Sequence, residues 1–104
     1  MRLLFAVTLL LLTPLAQAVQ LSPLQCRSLS DVTLNTAEIR DVHADKALHL
    51  ELLKRKNADL VDENLQLLIR MFEVVYASKL TPEDLSDKIL QRCYAAKGNM
   101  GEDL

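Results

Sequence analysis

Four side chains of this 104-residue chain carry types that bind metals or pass electrons: Cys26, Cys93, His43 and His49. Zinc sites draw their ligands from short recurring spacings, and no two of these four stand at one. His43 and His49 are six apart, so even on one unbroken helix they would point to different faces. Both read as ordinary surface or boundary residues. Redox thiols usually share a Cys-x-x-Cys turn that lowers one pKa, whereas Cys26 and Cys93 lie near opposite ends of the chain. The residue types therefore predict a structural disulfide between Cys26 and Cys93, with no metal and no cofactor.

Acid–base chemistry fares no better. Asp59/Glu63 and Glu83/Asp84 are paired carboxylates, but helix starts attract acids because the helix dipole is positive there. There is no Ser-His-Asp spacing and no glycine-rich phosphate loop, Gly98 and Gly101 being the chain's two glycines. A bundle this small also gives up much of its core if it encloses a pocket of several hundred Å3. The expectation is a protein that is not an enzyme, with no catalytic residue to name.

The compartment is written in the first eighteen residues. Arg2 precedes an apolar run from Leu3 to Leu12, and Thr13-Pro14-Leu15-Ala16-Gln17-Ala18 ends in a small-x-small pattern. That order is a secretory signal peptide, too short to span a bilayer, with cleavage expected after Ala18. Cys26 follows Gln25 well inside the remaining chain, which gives no lipoprotein acylation site, so no stable membrane anchor is expected once the signal is gone. The location predicted is periplasmic or secreted, where thiols oxidise. Without Arg2 the chain keeps 11 basic residues against 14 acids, a net charge of −3. That balance provides no footprint for DNA or RNA.

The punctuation divides Val19 to Leu104 into one helical domain over residues 19–98 and a flexible tail over 99–104. Ser22, Pro23 and Gln25 make a capping box with proline in the first turn, opening a first helix. Leu29, Val32, Thr36 and Ile39 follow at spacings of three and four, with Cys26 one turn ahead on the same face. Asp45 caps a second, short helix through Leu48, Leu52 and Leu53 to about Lys56. Asp59 or Asp62 opens a third. Thr81-Pro82-Glu83-Asp84 opens a fourth, which sets Leu85, Ile89 and Cys93 on one face and stops at Gly98. The fold predicted is all-α, a compact four-helix bundle stapled by one disulfide.

The third helix is apolar nearly all round. Leu65, Leu68, Ile69, Phe72, Val75 and Tyr76 form one face and Leu67, Met71 and Val74 a flanking one, with only Gln66, Arg70 and Glu73 as polar residues between Leu65 and Tyr76. A helix of this kind is packed on most sides by its own chain or by another molecule. The flanking residues Leu67, Met71 and Val74 are therefore the candidate interaction surface, for a protein partner or a homodimer.

An early Cys26, a central Leu68-Ile69 with Val75-Tyr76, a Pro82-Glu83 helix start and a late Cys93-Tyr94 resemble small exported all-helical bacterial proteins of unassigned function. The resemblance spans most of the chain after residue 18 and implies a fold and a compartment, without any active residue. The function expected is a non-catalytic interaction protein of the bacterial envelope, of the inhibitor, immunity or adaptor type. The alternatives are a periplasmic stress or acid-activated chaperone, opened by loss of negative charge at low pH, and a small-ligand or metal carrier.

Overall fold

The computed structural model describes residues 19–42 and 45–101. The signal peptide expected at 1–18, His43, and the end of the expected tail at 102–104 lie outside them. Within them the chain is an all-α bundle closed by a disulfide between Cys26 and Cys93. The order is β1 (Val19–Gln20), α1 (Pro23–Val42), α2 (Lys46–Lys56), α3 (Asp62–Ala77), α4 (Pro82–Ala95) and β2 (Asn99–Met100).

Each helix start follows from local chemistry. Ser22 and Gln25 close the capping box: the Ser22 amide donates to Gln25 Oε1 at 2.8 Å and the Gln25 amide to Ser22 Oγ at 3.2 Å. Asp45 Oδ1 accepts from the Leu48 amide at 3.0 Å, and Thr81 Oγ1 from the Asp84 amide at 3.2 Å, with Pro82 in the first turn. Of the two starts open for α3, the chain uses Asp62. Its cap residue Val61 makes no side-chain bond, and Asp62 and Glu63 face the positive helix end instead.

Packing centres on α1, α3 and α4. Cys26, Leu29 and Ala37 of α1 meet Leu67, Met71 and Val75 of α3 and Leu85, Ile89 and Cys93 of α4 in one core. α1 and α4 come close at a serine pair. Ser30 Oγ and Ser86 Oγ lie 2.7 Å apart, and each hydroxyl also reaches the other residue's carbonyl at 3.0 Å. Thr33 and Thr36 are buried among apolar neighbours because each hydroxyl donates to the carbonyl four residues back, at 2.7 Å.

Three expectations are corrected. Leu67 and Met71 are not an exposed surface: they are 3% and 0% exposed, and Val74 is half-buried. Leu67, Met71 and Val75 recur every four residues along the line that α3 turns toward α1 and the disulfide. Leu68, Phe72 and Tyr76 lie one position on, and Phe72 and Tyr76 meet α2. The flexible tail, secondly, is not free at its start. Asn99 and Met100 pair antiparallel with Gln20 and Val19, and Met100 is buried. Thirdly, His49, expected at the surface or its boundary, is a buried residue of α2, because α3 supplies an aromatic bed for it.

The turn into β2 needs glycine. Gly98 has φ +81°, and a Cβ there would overlap the carbonyl oxygen of Leu21, whose own amide donates to Gly98 O at 2.7 Å. Gly98→Ala is expected to cost about 1–2 kcal/mol for the left-handed backbone alone and to part β1 from the turn. Hydrogen exchange reads this directly: the Leu21 amide loses protection while amides in the middle of α1 keep theirs.

Candidate functional site

Of the candidate residues, Cys26 and Cys93 are brought together, with Cα atoms 5.8 Å apart, and are spent on the cross-link. They are 1% and 0% exposed, so they act as a tie between the first turn of α1 and the last turn of α4. Among the described residues no three His, Cys, Asp or Glu side chains gather at one point. No helix there is long and apolar enough to cross a membrane.

A concavity lies elsewhere, between the second half of α1 and α2. It is a cleft of about 470 Å3 whose α1 wall includes Val32, Thr36 and Ile39, and whose α2 wall includes Leu48, His49, Leu52 and Leu53. Asp45 stands at one end of the α2 wall and Lys56 and Asn57 at the other. Leu48 and Leu52 are 54% and 51% exposed although they line it.

The cleft exists because α2 is docked on one side only. It rests on α3 through His49, whose ring sits edge-on to Phe72 with centroids 5.0 Å apart and meets Tyr76 at 5.6 Å. His49 Nδ1 and the Tyr76 hydroxyl share a hydrogen bond of 2.5 Å. Burial pushes the Tyr76 phenol above its ordinary value of 10.0, against the opposing pull of Arg40 and Lys46. Tyr76 therefore keeps its proton throughout the physiological range and is available as a donor to a neutral imidazole. At the edge, Lys46 Nζ pairs with Glu73 at 3.0 Å.

Arg40 fixes the other wall. From α1 it donates to the carbonyls of Val75 at 2.9 Å, Ser78 at 3.2 Å and Leu80 at 2.9 Å, and it pairs with Asp41 at 2.9 Å. A guanidinium on carbonyls in the last turn of α3 and just beyond it adds donors where the helix runs out of them and meets the negative end of its dipole. The end of α1 is thus held to the bundle while α2 leans away. Neither the role of Arg40 nor the cleft is legible in the residue pattern. The signal available was the pair Leu48 and Leu52, one turn apart in a helix otherwise rich in lysine and arginine.

Chemically the cleft offers apolar contact from its leucines, a buried imidazole hydrogen-bonded to a tyrosine, a carboxylate at one end and a lysine at the other. No protein-family profile matches the chain, and neither the curated proteins nor the solved structures contain a significant match to it.

Proposed function

We propose that this chain is a non-catalytic exported protein of a bacterial envelope that works by binding a partner protein, as an inhibitor, immunity or adaptor factor does, and that the α1–α2 cleft is its binding surface. One observation carries the reading: two leucines, Leu48 and Leu52, are more than half exposed side by side over an apolar concavity. A pair of that kind beside a groove is a common form of helix recognition. The signal-like residues 1–18 and the buried disulfide support export into an oxidising compartment, periplasmic or extracellular.

The test is a Leu48→Asp/Leu52→Asp double variant. Both side chains are exposed, so the unfolding free energy of the purified protein in urea titration is expected to stay within about 0.5 kcal/mol of the parent for each substitution. Crosslinking in intact cells followed by mass spectrometry is expected to give a partner adduct through α2 for the parent and none for the variant. An identical adduct from both proteins would overturn the assignment of this surface. The volume also falls in the range of small-molecule pockets, which makes a small-ligand carrier the second reading. Dodecanoate binding that the double variant abolishes, without a protein adduct, would favour it.

A further inference from the structure

We infer that the segment received by the α1–α2 cleft is an acidic amphipathic helix, one that offers two apolar side chains a turn apart and a carboxylate one turn beyond them. The inference rests on the protein-binding reading and names the chemistry of the partner. Its ground is charge complementarity. α2 holds four basic residues, Lys46, Lys54, Arg55 and Lys56, and one acid, Glu51, whereas the rest of the chain holds 8 basic residues and 13 acids. The one strongly positive element of an acidic protein is therefore the helix that walls the cleft.

The arrangement along α2 makes the match specific. Leu48, Leu52 and Lys56 recur every four residues and all line the cleft, so they form one row down one side of the helix. From Asp45 to Asn57 that wall runs about 18 Å, the length of a little over three helical turns. A guest helix of that length fills it with residues at i and i+4 against Leu48 and Leu52, and its next residue in the row, at i+8, meets Lys56. Lys54 and Arg55, both exposed beside Lys56, extend the positive end. Lys46 is already paired with Glu73, and Asp45 closes the opposite end, so the field along the groove has a direction and sets which way the guest lies. Outside α2 acids outnumber bases, 13 to 8, so on average the rest of the chain disfavours an acidic helix.

The experiment uses two synthetic alanine-rich peptides of about 16 residues, long enough to be helical in part. One has leucines at i and i+4 with glutamate at i+8 and on the flanking positions, and its twin has lysine in place of each glutamate. Binding to the purified oxidised protein is read by fluorescence anisotropy at low salt. The glutamate peptide is expected to bind about tenfold tighter than the lysine peptide, with the ratio shrinking as salt is added. Lys54→Gln/Arg55→Gln/Lys56→Gln is expected to remove the preference, and its circular dichroism checks that α2 persists. Leu48→Asp/Leu52→Asp is expected to bind neither peptide.

Equal binding of both peptides, or a preference untouched by the Gln variant, overturns the acidic assignment while leaving a leucine-dependent cleft in place. Binding that ignores Leu48 and Leu52 overturns the cleft itself. Failure of both peptides, together with leucine-dependent binding to phosphatidylglycerol vesicles, replaces the helical guest with an anionic membrane surface.

Discussion

Cys26→Ala/Cys93→Ala is expected to leave the protein only marginally folded. The two cysteines are 67 positions apart, and the loop-closure entropy removed from the unfolded chain by a cross-link of that span corresponds to about 4 kcal/mol. A domain of this size keeps a total margin of about 5 kcal/mol, because much of its apolar surface remains near solvent. Subtracting one from the other leaves about 1 kcal/mol, so a measurable fraction of the double variant is unfolded at 37 °C. Alanine is the right replacement, since both sulfurs are in the core and a serine hydroxyl there would add a desolvation cost of its own. The β1–β2 ladder and the Leu21–Gly98 hydrogen bond still join the two ends, which is why the variant is expected to retain some helix rather than none. Urea unfolding followed by far-UV circular dichroism decides it. A midpoint that matches the oxidised parent would mean that the cross-link does not govern the unfolded chain, and the ladder would then be the principal tie.

The caps and the disulfide were legible in the sequence because both depend on neighbours a few residues away or on a short choice of partners. Ser22 with Gln25, Asp45, and Thr81 with Pro82 are local hydrogen-bonding devices, and they stand where the residue order puts them. Which way α3 turns was not legible. A helix with apolar residues on nearly every side has no period that selects a buried face, and the selection comes from α1. The buried face of α1 carries Ser30, Thr33, Thr36 and Ala37, small side chains that let other helices approach closely. A hydropathy pattern discounts such residues, because it cannot see that their hydroxyls are satisfied by carbonyls of the same turn or by Ser86. The strands were missed for a related reason: two residues each are too few to show alternation. His49 depended on Phe72 and Tyr76, more than twenty positions away, and the cleft depended on where α2 leans once His49 is docked.

That dependence makes Phe72 the residue whose loss should separate α2 from the rest. Phe72 is fully buried, with its ring 5.0 Å from His49 and 4.6 Å from Tyr76, and Phe72→Ala is expected to cost about 3–5 kcal/mol as a buried aromatic leaves a cavity. The cost should fall unevenly. α1 and α4 are linked by the disulfide and the serine pair, while α2 buries only His49 and Leu53 among its residues and uses Phe72 as its bed. Against a total margin of about 5 kcal/mol that leaves little protection anywhere, so hydrogen exchange of the oxidised variant is expected to show α2 amides near the rate of free peptide while amides in the middle of α1 and α4, held by the cross-link, exchange measurably more slowly. Tyr76→Phe isolates the smaller part, since it deletes the hydroxyl that meets His49 Nδ1 and keeps the ring; about 1 kcal/mol is expected for it. If protection fell evenly across all helices, α2 would be an integral layer of the core rather than a docked arm. The cleft would then be as firmly built as the core, and its walls would open only when the whole bundle unfolds.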